Sequence, residues 1–394
     1  MARFLIVVPP FSGHINPTIG VGAELRARGH DVAWCGIPGL VESLLPEGAT
    51  FVAAASDEVG AHIHSIAERA PDLRGAAALK FLWEDVLLPL ADVMVDGVDA
   101  AVDRYRPDVL VVDQQAMAGA IVGRRRNLAW ATSGTTSAEF VDPLAALPLV
   151  NQAIHDARVE LQVRHGIDPT VAAEGDLRFS PHLVLVFSTE ALIGADLPFP
   201  DHYRFIGPSI NGRPEHVDFP WERLDPDLVP VLVSLGTLNA DAGERFFTVA
   251  ADAFRDQPWQ GVFVAPPELV PTAPPNVIVQ PRVPQLALLQ RVRAVVSHAG
   301  HNTVCESLDA GLPMVLTPIR DDQPIIADQV ARSGAGIRLK FSRVRAEGLR
   351  AAIDQALTDP SFAAAAAAIH ESFAAAGGPA AAASALESLA QVPA

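Results

Sequence analysis

The segment Pro10-Phe11-Ser12-Gly13-His14-Ile15-Asn16-Pro17 sets a histidine just past a short apolar run. A neutral imidazole there can take a proton from a bound hydroxyl near neutral pH. Asn16 is placed to cap, and Pro17 to open, a helix running to Arg28. Asp113 ends another apolar run, Asp108-Val109-Leu110-Val111-Val112, and a carboxylate near one ring nitrogen would orient the imidazole and stabilise its cation. Capping a helix over 114–126 is the competing role for that aspartate. Further along, Val233-Ser234-Leu235-Gly236-Thr237 closes a run in small residues that let backbone N–H groups approach an anion. Ser297-His298-Ala299-Gly300-His301-Asn302-Thr303 leads into a helix through Glu306 and Leu308, whose positive end could hold a diphosphate without metal. His298 and His301 have a workable metal spacing, but no third ligand accompanies them. After Pro318-Ile319-Arg320-Asp321, the pair Asp322 and Gln323 puts a carboxylate beside an amide, suited to gripping sugar hydroxyls, with helix capping as the plainer role.

These loops must be held by regular elements, and the chain supplies them in alternation. Apolar runs at Arg3 to Val8, Asp31 to Cys35, Thr50 to Ala53, Asp108 to Asp113, Leu128 to Ala131 and Leu183 to Ser188 are separated by stretches of helical spacing. Continuous apolar runs of that length are what parallel strands buried on both faces look like, so an α/β unit is predicted. The alternation restarts at Val231 to Leu235 and continues through Gly261 to Val264, Val277 to Val279, Ala294 to Ser297, Pro313 to Thr317 and Gly336 to Leu339. Between the halves, Pro208, Gly212, Pro214, Pro220 and Pro226 break helix and strand alike and mark a linker. The expected division is 1–207, a linker over 208–227, a second domain over 228–375, and a C-terminal helix over 376–394. Open parallel sheets bind ligands outside the carboxyl ends of their strands, which predicts a cleft between two Rossmann-like domains and places function in the loops above.

Composition narrows the classes. At 394 residues the chain is too long for one small module, and 49% apolar against 19% charged residues supplies large cores and argues against disorder. With 29 basic and 46 acidic side chains the formal charge is −17, which repels nucleic acid and anionic membrane surfaces. Cys35 and Cys305 are too few for a disulfide framework and fit no zinc spacing, and no apolar stretch is long enough to span a bilayer, so a cytoplasmic protein is expected. No GxGxxG follows a strand, no GxxxxGK[ST] occurs and no GxSxG elbow is present, which weakens the dinucleotide-dependent, P-loop and α/β-hydrolase alternatives. Asp225-Pro226-Asp227 matches a metal-holding DxD pattern but falls in the proline-rich linker rather than at a strand end.

One family unites these segments. Gln280-Pro281-Arg282-Val283-Pro284-Gln285, then His298-Ala299-Gly300-His301-Asn302-Thr303, Glu306, Gly311-Leu312-Pro313, Pro318 and Asp322-Gln323 resemble, in order and spacing, the donor signature of the nucleotide-sugar-dependent glycosyltransferases of glycosyltransferase family one. That family includes plant glucosyltransferases and bacterial macrolide and antibiotic glycosyltransferases, and the likeness spans nearly the whole chain. It implies the GT-B fold, with acceptor bound by the first domain, sugar nucleotide by the second, and C-terminal helices that often cross back to the first. By the same resemblance His14 is the catalytic base and Asp113 its partner. His298, Gly300, Asn302 and Thr303 contact the diphosphate, Glu306 the ribose, and Asp322 and Gln323 the sugar. Val283 meets the base through its backbone, while Gln285, Ser234 and Thr237 line the nucleotide pocket. The chain departs from the pattern at Arg282, where tryptophan usually stacks on uracil, and at Ile326, where asparagine is frequent; a guanidinium plane can also stack on a base.

The resulting expectation is an inverting, metal-independent transfer of a hexose, glucose favoured, from UDP-glucose or a dTDP-sugar as co-substrate to a hydroxyl of an apolar small molecule, with no cofactor. Phe11, Phe81, Met117, Phe140 and Leu144 are candidates to line the acceptor pocket, although core packing is the default for such residues. A dTDP-deoxysugar transferase of antibiotic biosynthesis, a nucleotide-sugar epimerase or hydrolase on the same fold, and a non-catalytic helper are the rival readings. The helper class would be expected to lose His14 or His298, and both are present. A monomer or homodimer is expected.

Overall fold

A computed structural model of the chain describes residues 1–56, 58–59, 76–141, 147–194, 198–210, 217–236 and 243–391. The chain divides into two units. One comprises Met1–Thr189, Asp196–Arg213 and Ala376–Ala394, the other Glu190–Ala195 and Pro214–Ala375.

Among the described residues the first unit holds a parallel sheet of β1 (Arg3–Val7), β2 (Asp31–Gly36), β3 (Thr50–Ala53), β4 (Val109–Asp113), β5 (Trp130–Gly134), β6 (Leu183–Val186) and β7 (Tyr203–Phe205), in the spatial order β3-β2-β1-β4-β5-β6-β7. Alternate side chains of β1 face opposite ways, and both faces are covered. Phe4 and Ile6 pack with Ile15 and Ile19 of the helix Ser12–Ala27, whereas Leu5 and Val7 pack with Met94 and Val95 of the helix Leu88–Tyr105. The last helix, Gly378–Ala390, joins the first of these faces through Ala382, Ala383, Leu386 and Leu389. It is reached through Gly377 and Gly378, whose φ angles of 85° and 54° are left-handed and so favour residues without a Cβ. Its polar edge is tied down by Arg28, 2.8 Å from Glu387, and by His30. The Ala2 N–H donates to His30 Nδ1 at 3.0 Å, so Nε2 carries the proton that reaches Glu387 at 2.8 Å.

The second unit repeats the plan with β8 (Val229–Ser234), β9 (Trp259–Val264), β10 (Val277–Gln280), β11 (Ala294–Ser297), β12 (Met314–Leu316) and β13 (Gly336–Arg338), ordered β10-β9-β8-β11-β12-β13. Val231, Val233 and Val296 pack on Phe246, Phe247 and Phe254 of the helix Gly243–Phe254 and on Leu349 and Ile353 of the helix Ala346–Thr358. Each sheet reverses its strand order once, between β1 and β4 and between β8 and β11. Such reversals open the crevices in which doubly wound sheets bind ligands. Among the described residues no helix is long and apolar enough to cross a membrane.

Two local expectations are corrected. The first helix begins at Ser12 rather than at Pro17: the His14 and Ile15 amides already bond to the Phe11 carbonyl, so His14 lies inside the first turn and Pro17 is an internal residue of the helix. Strand β5 runs on through Thr132-Ser133-Gly134 rather than ending at Ala131. The Thr132 hydroxyl makes that polar stretch tolerable by donating to the Arg178 carbonyl at 3.0 Å and accepting the Ser180 N–H at 2.7 Å.

Candidate active site

In the first unit the strand-order reversal brings together residues far apart in sequence. His14 follows β1 and Asp113 closes β4, the two strands paired at Val7 and Val112. His14 Nδ1 lies 2.9 Å from Asp113 Oδ1. The carboxylate is fully buried and the imidazole 15% exposed. A buried carboxylate needs hydrogen-bond donors, and Asp113 has them. The Gln115 N–H donates to Oδ1 at 2.8 Å, and the Thr135 hydroxyl donates to Oδ2 at 2.8 Å. Thr135 Oγ1 also lies 2.8 Å from His14 Nδ1. The helix after β4 starts only at Met117, with Ala116 as its cap, so Asp113 is turned to the histidine rather than to the helix. Phe11 meets the His14 ring edge-on, with ring centres 5.9 Å apart.

Of the residues expected to line an acceptor pocket, Phe11 is the one just described beside His14. Met117 is buried in the core with Leu110 and Val112. Phe140 belongs to an aromatic cluster with Phe179, Phe199 and Tyr203. Phe81 is half-buried at the end of the helix Ala76–Phe81. Leu144 lies outside the described residues.

The second unit gathers its candidates around the β8/β11 reversal, where Ser234 pairs with Ser297. His298 follows β11, and its ring is held between two glycines: a Cβ on Gly300 would come within 2.5 Å of it and one on Gly236 within 2.7 Å. Burial pushes His298 down to about 4, although a hydrogen bond to the Ser234 backbone pulls the other way, so the ring is neutral at physiological pH. The next residue, Ala299, adopts a left-handed φ of 69°, and this turn aims the chain into the helix His301–Asp309, capped by Gly300. Asn302 and Thr303 lie half-buried in the first turn of that helix. Its buried Glu306 accepts a hydrogen bond from Gln285 Nε2, which links two of the expected nucleotide-pocket residues.

Gln323 opens the helix Gln323–Arg332 and folds its side chain back. Its Oε1 accepts the Ile319 and Arg320 amides at 2.9 and 3.2 Å, so its NH2 group is the end that can serve a ligand. Asp322 is the helix cap by position but makes no side-chain capping bond. Val283 is half-buried and Arg282 exposed just before the short helix Gln285–Leu289. Ile326 is fully buried. Thr237 lies outside the described residues. His301 is placed 3.5 Å from the buried Cys305 thiol by the same helix, and among the described residues no cluster of metal-ligating side chains includes it. Thr135, which touches both His14 and Asp113, is marked by no motif in the sequence. Its one local signal, a hydroxyl just past a strand, is obscured because the apolar run ends at Ala131 while the strand continues through the polar Thr132-Ser133-Gly134.

Comparison with known proteins decides what these two groups of residues belong to. Residues 229–371 match the family described as UDP-glucoronosyl and UDP-glucosyl transferase. The 4'-demethylrebeccamycin synthase of Lentzea aerocolonigenes is 28% identical, over 98% of this chain and 99% of its own. The solved glycotransferase of kitacinnamycin is 26% identical, covers 98% of each chain and superposes with a TM-score of 0.79. The chain is a GT-B glycosyltransferase. An uncharacterized UDP-glucosyltransferase of Bacillus subtilis, YojK, is similar over the same span, 28% identical over 99% of this chain and 98% of its own. This glycosyltransferase therefore carries the likeness through both units, while the family match itself falls on the second.

Proposed function

We propose that this glycosyltransferase moves a hexose, glucose favoured, from a nucleoside-diphosphate sugar to a hydroxyl of an apolar natural product, with inversion at the anomeric carbon and without metal. The observation that carries the reading is the 2.9 Å contact between His14 Nδ1 and the buried Asp113 carboxylate at the mouth of the first sheet. His14 takes the acceptor proton on Nε2, the acceptor oxygen bonds to the anomeric carbon, and the bond from that carbon to the diphosphate breaks. Asp113 stabilises the imidazolium so formed. The amides that open the helix His301–Asp309, with His298, Asn302 and Thr303, take the charge growing on the leaving diphosphate. Glu306 and Gln285 hold the nucleoside, and Asp322 with the Gln323 NH2 group holds the sugar. UDP is favoured by the family match and by relatives named UDP-glucosyltransferases. A dTDP-deoxysugar donor is the second reading, supported by the mycarosyltransferase of Streptomyces fradiae among the relatives, 28% identical over 91% of this chain.

Calorimetric titration with UDP, UDP-glucose, dTDP and dTDP-glucose, each with and without EDTA, tests the donor half. Micromolar binding of one series, unchanged by EDTA, is expected; binding that EDTA abolishes would remove the metal-free reading. His14→Ala tests the base. Turnover should fall on the order of a hundredfold or more while diphosphate binding stays as in the parent. Near-normal turnover would end the assignment, and a product with retained anomeric configuration would end the direct displacement.

A further inference from the structure

The third member of the first unit's polar cluster has no role in the scheme above. Thr135 stands just past β5, is 2% exposed, and touches both members of the His14–Asp113 pair. We infer that Thr135 is a positioning residue that sets the proton on His14 Nδ1 and fixes the Asp113 carboxylate, so that Nε2 carries the lone pair that accepts the acceptor proton. A hydroxyl has a single proton, and an ionised carboxylate can only accept, so the Thr135 proton is committed to Asp113 Oδ2. The Thr135 oxygen then presents a lone pair to His14 Nδ1, 2.8 Å away, and Asp113 Oδ1 presents another at 2.9 Å. Both neighbours of Nδ1 are acceptors, so Nδ1 bears the hydrogen. The hydroxyl also occupies the second carboxylate oxygen, which in a fully buried Asp113 would otherwise be left to turn toward some other donor. This role rests on the reading of His14 as the base.

Thr135→Val keeps the shape of the side chain and removes the hydroxyl; Thr135→Ser keeps the hydroxyl. Turnover in Thr135→Val should drop roughly ten- to hundredfold, as when the outer hydrogen-bond partner of a metal-bound histidine is removed, with the KM of donor and acceptor within about twofold of the parent. Thr135→Ser should restore most of it. In a His14→Ala background Thr135→Val should add no further loss, because its effect passes through the imidazole. The 15N shifts of the His14 ring, assigned by difference from His14→Ala, report the tautomer without any substrate and should show Nδ1 protonated in the parent protein. An Nε2–H tautomer there overturns the inference whatever the variants do. So does a Thr135→Val variant that raises a KM at unchanged turnover, which would mean direct substrate contact, or one that costs as much in the His14→Ala background. Full activity in His14→Ala alone would instead sink the base assignment, a separable failure.

Discussion

At the scale of single residues, His14 and His298, one in each unit, are held in different ways. His14 sits between two acceptors, one of them a carboxylate, whereas His298 is buried between Gly236 and Gly300 and kept neutral. The second arrangement carries a cost in acid. With the folded-state value near 4 and that of free histidine near 6.5, the unfolded chain binds more protons between those limits. Stability present near neutrality is therefore lost as pH falls from about 6.5 towards 4, by roughly 3 kcal/mol at most from this group. Denaturant unfolding at pH 7 and pH 4.5 should show a smaller acid loss for His298→Asn than for the parent. Equal losses would mean that the imidazole is not desolvated as the structure has it.

At the scale of elements, the C-terminal helix shows which kind of contact fixes a helix in place. Leu386 is fully buried in the cluster that holds Val109 and Val111 of β4 and Leu183 and Leu185 of β6, the strands its helix packs against, while Glu387 beside it is 29% exposed and paired with Arg28 and His30. Removing a packed leucine side chain loses both transfer energy and packing, so Leu386→Ala should cost about 2–5 kcal/mol of first-unit stability. Removing a partly exposed ion pair costs far less, and Glu387→Ala should cost about 1 kcal/mol or below. Urea midpoints of the two variants decide the matter. A larger loss for Glu387→Ala would mean that the ion pairs, rather than the apolar face, dock this helix. The same contrast explains why alanine-rich composition alone reads the segment as a helix but names no partner for it: alanines dominate both its faces, and only Leu386 and Leu389 mark the buried one.

At the scale of the whole molecule, the chain begins and ends in the same unit. Truncation after Ala375 would uncover the parts of β4, β6 and the helix Ser12–Ala27 against which Gly378–Ala390 packs, and leave the second unit's core of Val231, Phe246 and Phe254 intact. Hydrogen exchange should show amides of β4 and β6 losing protection while those of β8 and β11 keep theirs. Loss of protection in both units alike would mean that their stabilities are not separable. What the sequence by itself determined is what residue type and local period carry. Apolar runs long enough to be buried on both faces marked nearly every strand, β7 excepted because Tyr203-Arg204-Phe205 is short and interrupted by a charge. Glycines, histidines and carboxylates at the ends of those runs marked the candidate site. What only the tertiary structure decided is who meets whom. His14 is 99 residues from Asp113 and 121 from Thr135, and these become hydrogen-bond distances because β4 pairs with β1 and β5 with β4. No local pattern encodes that order, since any buried strand satisfies its neighbours' backbone equally well. The side chains packed on both faces choose it.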